Sequence, residues 1–449
     1  MATANESRVH IVLVPGFGGF DALGQLEYYS GVTPLFRTWQ AARTPGGRRA
    51  VLHYFDNLPT AGVRARADRL KRYLATRFAR GEFLPDDTLA LVGHSTGGLD
   101  IRRAVLDLAR PGAAPIAVDG PHGASFTVDP ADLVRMVKRL VFLSVPQRGT
   151  NIANWVQSYR VQREVVVAQL RASVLAAQVS LVEKVQSWLA TRVASATGSD
   201  LLLAVQDALA EADERRWTLR DRTPSRIAAA HEAAAELALW LRHIASDFSA
   251  IDDLACRQRA ENSPSPAHAS AEQRHDEVTL WKDHGIETRS YATIGRRPFA
   301  FAAGSQAPAW ELFNPRTWPN LTEETAEAQQ MDFVYRTCYR ACAGGPFQIS
   351  RPAAATALQG NRKQTVEVWD NDGIVNTASM LWPDGDRTIL VDGDHGDIIG
   401  HYRLLPATPP SARKFHTYDL LRSVPEREAD KFAHAFEQVW SGIFDFAVS

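Results

Sequence analysis

The chain has 449 residues, of which 45% are hydrophobic and 22% charged, and its net charge is −1. This is a globular composition, long enough for more than one domain, with no overall bias toward nucleic acid or anionic membrane. Three cysteines, Cys256, Cys338 and Cys342, are too few for a disulfide framework and fit a reducing compartment.

The N-terminus "MATANESRVHIVLV" lacks a basic start followed by an apolar core, so it does not read as a signal peptide. No stretch approaches the ~18 apolar residues of a membrane span. The expected location is cytoplasmic; a secreted form already trimmed of its leader would read the same. "VHIVLV" is a buried strand, and Pro15-Gly16-Phe17-Gly18-Gly19 follows as a glycine-rich loop. "RAVLHYF" is a second strand. "TAGVRARADRLKRYLATRF" then places Val63, Ala67, Leu70, Leu74 and Phe78 on one helical stripe. Arg64, Arg66, Arg69, Lys71, Arg72 and Arg77 lie on the same helix. They read as a solvated face, since no nucleic-acid motif accompanies them.

"TLALVG" is a third strand and "GLDIRRAVLDLA" a second helix, with "VKRLVFLSVP" as the fourth strand. Strands alternating with helices imply right-handed crossovers and a mostly parallel sheet. The pattern then changes. No glycine or proline occurs between Gly149 and Gly198, and apolar residues recur at helical spacing to about residue 248. Residues 150–285 are therefore expected to form a helical insertion over the sheet, with 257–277 as a mobile loop. Trp155, Trp188, Trp217, Trp240 and Trp281 are candidates to line an apolar cleft beneath it. Strands resume with "IETRSYATIG", "TVEVWD" and "RTILVDGDH". The core thus comprises residues 1–149 and 286–449. Ser423 and Glu426 form a capping-box pattern, and Ala429, Phe432, Phe436, Val439, Trp440 and Ile443 give a final helical stripe. Cys338 and Cys342 share one side of a helix, but two cysteines make a poor metal site.

The chemistry concentrates at Gly93-His94-Ser95-Thr96-Gly97, between the third strand and its helix. A serine on a sharp strand-to-helix turn is strained, and only small neighbours fit two residues away, hence Gly93 and Gly97. Backbone N–H groups at the helix start then face any charge developing beside Ser95. The Thr96 N–H is one candidate oxyanion donor. The Phe17 N–H, from the early glycine-rich loop, is the other. That loop has no following lysine and does not match a phosphate-binding pattern.

For a serine on such an elbow, an acid and then a histidine follow in the chain. His395, just past "TILV", is the candidate base, ahead of His401. Asp372, in the "NDG" turn, is the candidate acid, with Asp370 as runner-up. Asp394 adjoins His395 but points the opposite way in an extended segment.

Taken together, "IVLVPGFGGF", "LVGHSTGG", "SVPQRGT", "NDGIVNTASM" and "DHGDIIG" resemble the bacterial true lipases of the α/β-hydrolase fold, in their thermophilic and staphylococcal branch. The resemblance covers about a fifth of the chain but spans both halves of the core. It implies a doubly wound, mostly parallel sheet, although the large helical insertion is unlike the family's short lids. It implies Ser95 as nucleophile, Asp372 as acid, His395 as base, and Phe17 and Thr96 as oxyanion donors. The activity implied is hydrolysis of lipid-like carboxylic esters without a cofactor; from the insertion itself, either transient lipid-interface contact through an opening cap or a rigid roof is expected. An acyltransferase, an amide hydrolase, a polyester depolymerase and a silent binding protein are the alternatives.

The chain also departs from the family. Pro15 stands where the oxyanion loop usually has histidine, and Thr96 where glutamine or methionine is usual. Of the family's calcium ligands, Asp397 fits one place but Tyr402 occupies another. The branch's zinc-binding insertion is not recognisable, so no metal is expected.

Overall fold

In a computed structural model, the described residues are 7–19, 22–23, 26–43, 48–119, 125–158, 247, 249–256, 265–298, 331, 333–343, 353–360, 362–402, 421, 423 and 429–449. The central sheet has eight strands: β1 (Val9–Val14), β2 (Ala50–Tyr54), β3 (Thr88–His94), β4 (Val137–Leu143), β5 (Glu287–Ile294), β6 (Ala353–Ala357), β7 (Lys363–Val366) and β8 (Thr388–Asp392). The helices that matter here are α1 (Val32–Ala42), α2 (Val63–Ala79), α3 (Thr96–Ala109), α4 (Ala271–Asp283), α5 (Phe333–Ala343) and α6 (Ala429–Val448).

The sheet order is β7-β6-β8-β5-β4-β3-β1-β2. Every pairing is parallel except β6 with β7. The central strands carry apolar residues at successive positions, because both faces are covered. On one face Val9, Ile11, Leu13, Val92, Val141 and Leu143 pack against α1 and α6. The C-terminal stripe behaves as its spacing predicts, with Phe432, Phe436, Val439, Trp440 and Ile443 all buried there. On the other face Val12, Val14, Leu89, Leu91, Leu140 and Phe142 meet α2, α3 and α4. Helices on both faces of a parallel sheet, with a serine turn closing β3 into α3, make this an α/β-hydrolase fold.

The structure corrects several expectations. β6, "AAATA", has no strand signature, because alanine is a poor strand former and the segment takes its place from its neighbours. "TVEVWD" stops being a strand at Val366. From there Asp370 N–H donates to Glu367 O and Glu367 N–H to Asp370 Oδ2, which turns the chain. The stretch expected to be a mobile loop is ordered from Ser265. Ser270 and Gln273 exchange hydrogen bonds in a capping box that starts α4. That S-x-x-Q spacing was readable but was masked by the polar composition around it.

Arg66 is not on a solvated face: it is fully buried, between α2 and α3. Trp281 lines no cleft, being buried against Phe142 and Trp382. α4 is held to the core by Arg102 on α3, which donates twice to Glu277 at 2.8 and 2.7 Å and stacks 3.9 Å from the Trp382 ring. Of the 150–285 insertion, residues 159–246, 248 and 257–264 lie outside the described residues, as do Trp188, Trp217 and Trp240. Only the backbone of Trp155 is described, in the helix Asn151–Ser158.

At the strand ends remote from Ser95, three polar side chains form a chain. His10 Nε2 meets Asp87 Oδ2 at 2.9 Å, and His10 Nδ1 meets His53 Nε2 at 2.8 Å. Phe83 packs on both rings. Burial lowers the pKa of His10, and lowers that of His53 to about 4. The folded chain therefore binds fewer protons than the unfolded one between pH 6.5 and 4. The stability contributed by the neutral pair is full above 6.5 and lost as the pH falls through that window. The expected result is a melting temperature that falls about 3–8 °C more between pH 7 and pH 4.5 in the wild type than in a His53→Gln variant, a calorimetric comparison in which the other titrating groups cancel.

Candidate active site

β3 brings the chain to the carboxyl end of the sheet and stops at Ser95, whose φ is 51° and ψ −131°. A non-glycine residue there is strained by about 1–3 kcal/mol, so its surroundings must enforce it. They do so through close backbone packing. A side chain at Gly93 would come within 2.6 Å of Gly98 N, and one at Gly97 would collide with Val14 O. Ser95 N–H donates to Leu143 O at 2.9 Å, tying the turn to β4. Thr96 opens α3, so its N–H has no partner within the helix. Its hydroxyl is buried and has no hydrogen bond among the described residues.

The glycine-rich loop after β1 lies directly against this turn. A side chain at Gly16 would sit 2.6 Å from Ser95 Cβ and 2.8 Å from His94 O. The Gly16 peptide is gripped by Arg66, whose Nη2 donates to Pro15 O at 2.7 Å and Gly16 O at 3.0 Å. In a trans peptide the Phe17 N–H faces away from that carbonyl, so the grip also sets the direction of the Phe17 N–H. Arg66 is held in turn by Asp100 on α3, with Nε and Nη2 to Oδ2 at 2.9 and 2.8 Å. Asn57 donates to the same oxygen at 3.0 Å. Burial pushes the Asp100 carboxyl up to about 7, with Arg66 pulling it back down.

On the opposite side of the rim, Asp372 and His395 meet. His395 Nδ1 lies 2.7 Å from Asp372 Oδ2, and His395 N–H donates to Asp372 O at 3.0 Å. Thr293, on β5, donates to Oδ2 at 2.5 Å, while Ile374 and Val375 N–H donate to Oδ1 at 3.0 and 2.7 Å. Four donors on two oxygens leave the carboxylate as acceptor only. Nδ1 of His395 therefore carries the proton, and Nε2 is left as the basic nitrogen. Ser144, at the end of β4, backs this arrangement. Its φ of 50° is the second positive one among the described non-glycine residues, and its hydroxyl meets Thr293 Oγ1 at 2.8 Å. Ser144 opens the "SVPQRGT" motif, though nothing in the sequence gave it this role, and Thr293 carries no motif of its own.

The alternatives are engaged elsewhere. Asp370 pairs with Arg297 at 2.8 Å and accepts from Glu367 N–H. Asp394 accepts from Gly396 and Ser423 N–H, and burial pushes its carboxyl up to about 6. His401 Nε2 meets Tyr28 O at 2.9 Å. Asp397 accepts from Asp394 N–H at 2.8 Å. Cys342 is buried, with its thiol 3.4 Å from Asn376 Oδ1, and burial holds its pKa well above 9. Among the described residues no group of three or more potential ligands could hold a metal ion.

Ser95 directly follows His94, which meets the His395 loop. His94 Nε2 lies 3.0 Å from His395 O, and the two rings are 4.6 Å apart. Ser95 Oγ forms no hydrogen bond to His395 among the described residues, a common state of catalytic pairs without substrate.

No protein-family description matches the chain, and no curated protein matches it in sequence. Among solved structures it is similar to Staphylococcus hyicus lipase, with 13% identity, a TM-score of 0.43 and 99% of each chain covered. It is similar to EstA from Clostridium botulinum at 13% identity and a TM-score of 0.42, covering 98% of this chain and 89% of that one. Lipase 1 from Pelosinus fermentans gives 16%, 0.41, 88% and 94% respectively. The fold assignment rests on the sheet order and the elbow of this chain itself.

Arg66 offers a direct test of the clamp. Arg66→Met leaves Asp100 buried without its partner and should cost about 3–5 kcal/mol in urea unfolding. Adding Asp100→Leu should recover part of that loss, because the buried carboxyl left without its partner is then gone.

Proposed function

We propose that this chain is a serine hydrolase acting on carboxylic esters through an acyl-enzyme. The observation that supports it most is the strained Ser95 turn on the same rim as a hydrogen-bonded His395–Asp372 pair. In this reading Ser95 Oγ attacks the ester carbonyl, and His395 Nε2 takes its proton as the substrate brings the two together. Asp372 holds the imidazole in the required tautomer and stabilises the imidazolium. The Phe17 and Thr96 N–H groups bind the oxyanion. His395 then gives its proton to the leaving alcohol. Water, activated by the same nitrogen, releases the acid and restores Ser95. None of these steps needs a cofactor.

The lipid-like character of the substrate is proposed from the insertion that follows β4. Its apolar residues recur at helical spacing, as a roof over acyl chains requires. A cap that opens at a lipid interface would give a jump in activity as a short ester passes its solubility limit. A smooth rise would mean a fixed roof. A series of nitrophenyl esters from acetate to palmitate would give the preferred chain length.

A fluorophosphonate probe tests the chemistry. The wild type should be labelled and Ser95→Ala should not. His395→Ala should lower kcat by about 10⁶-fold and Asp372→Asn by about 10⁴-fold, with unchanged circular dichroism. Labelling that survives Ser95→Ala would falsify the assignment of the nucleophile.

A further inference from the structure

We infer that Tyr28 and His94 are positioning residues that lock the Gly16–Phe17 loop and the His395 loop into one register. This rests on the serine-hydrolase reading above and goes beyond its triad.

The hydrogen bonds run in one direction only. Gly16 N–H donates to Tyr28 Oη at 2.8 Å. The Tyr28 hydroxyl lies 2.7 Å from His94 Nδ1. His94 Nε2 lies 3.0 Å from His395 O, which is a carbonyl and can only accept. Nε2 must therefore carry the His94 proton. Nδ1 of the neutral ring is then an acceptor, and the Tyr28 hydroxyl donates to it. No other assignment satisfies all three contacts with a neutral ring.

The ring is held neutral. His94 is fully buried, and burial together with the nearby His395 keeps its pKa well below 6.5. His401, whose Nε2 is taken by Tyr28 O, adds to the same effect. Tyr28 is buried as well, and Arg66 and Asp100 are the charged groups nearest its hydroxyl. This neutrality has a use. When His395 takes the proton of Ser95, a positive charge appears 4.6 Å from the His94 ring. A protonated His94 would repel it, whereas a neutral one leaves it to Asp372.

The brace also explains why a histidine sits immediately before Ser95. The last residue of β3 must carry an acceptor toward the oxyanion loop and a donor toward the histidine loop. His94 supplies both from one rigid ring. Tyr28 passes the link to Gly16, whose own peptide continues into Phe17. A shift in either loop is thereby transmitted to the other, and the oxyanion donor and the base stay in mutual register.

The test uses the full-length chain and nitrophenyl acetate. Tyr28→Phe removes one hydroxyl and keeps the ring. It should lower kcat by about 10–100-fold with KM within about twofold, since only transition-state alignment is lost. His94→Gln retains one acceptor and one donor, whereas His94→Leu retains neither. Glutamine should therefore keep about tenfold more kcat than leucine at equal folded fraction. Nitrogen NMR of the wild type should find His94 protonated at Nε2 only, from pH 8 down to pH 5.

Three results would overturn the brace. One is Tyr28→Phe with kcat within twofold of wild type. Another is His94→Gln and His94→Leu losing kcat equally. The third is a His94 ring that titrates in that pH range. A wild type that neither reacts with a fluorophosphonate nor hydrolyses the ester would instead remove the hydrolase reading on which the brace depends.

Discussion

The structure depends on how closely backbone meets backbone around Ser95. α3 can start beneath the ends of β1 and β4 only because Gly97 and Gly98 carry no side chain. A methyl at Gly97 would meet Val14 O, and one at Gly98 would collide with Val145. This contact fixes the strained serine, presses Gly16 against it, and starts the helix with Thr96 N–H at the rim. The strain of about 1–3 kcal/mol is borne by what surrounds it. Leu89, Leu91, Leu99, Ile101 and Phe142 are all buried in the same cluster and leave the turn no room to relax. Burying such side chains stabilises by about 1.5–3 kcal/mol each, which is ample to hold one unfavourable residue.

A second principle governs the polar groups of the rim. They lie in a water-poor interior, where an unpaired donor or acceptor costs about 1–3 kcal/mol. The chain answers by using several of them to hold another. Asp372 is saturated by one ring nitrogen, one hydroxyl and two backbone N–H groups. Arg66 spreads its donors over Asp100 and the carbonyls of the loop beside Ser95. A buried ion pair of this sort is a poor source of net stability, because desolvation offsets its attraction. Its value here is geometric: it joins the loop after β1 to the helix that begins at the serine.

The features legible in the sequence share one property: a local residue pattern causes them. The strand β3, the glycines around Ser95, the "NDG" turn and the histidine after β8 all depend on neighbours within a few residues. So does the stripe of α6. What was not legible depends on distant neighbours. β6 is a strand because β8 and β7 flank it. Arg66 looks like its exposed helical neighbours until α3 brings Asp100 beside it. Thr293 reaches Asp372 from a strand more than 70 residues away, without any motif, and Ser144 reaches Thr293 from the end of β4. That Arg297 takes Asp370 was hidden for the same reason, since the two are far apart in the chain.

The insertion after β4 is attached in a way that bears on its tolerance of change. The chain that leaves the sheet at Thr150 comes back beside it within the insertion: Thr150 N–H donates to Leu254 O at 2.8 Å, and Thr150 bridges Ala255 in parallel. A long excursion whose ends already meet costs little more in closure entropy as it lengthens. Its size can therefore vary without pulling on the sheet. Its base, however, is fastened to the loop that carries Asp372. Thr150 Oγ1 donates to Ile374 O at 2.5 Å, and Asn151 N–H to Asn376 Oδ1 at 3.1 Å. Ile374 is one of the residues whose N–H holds the Asp372 carboxylate. Changes at Thr150 or Asn151 should therefore disturb the hold on the Asp372 carboxylate.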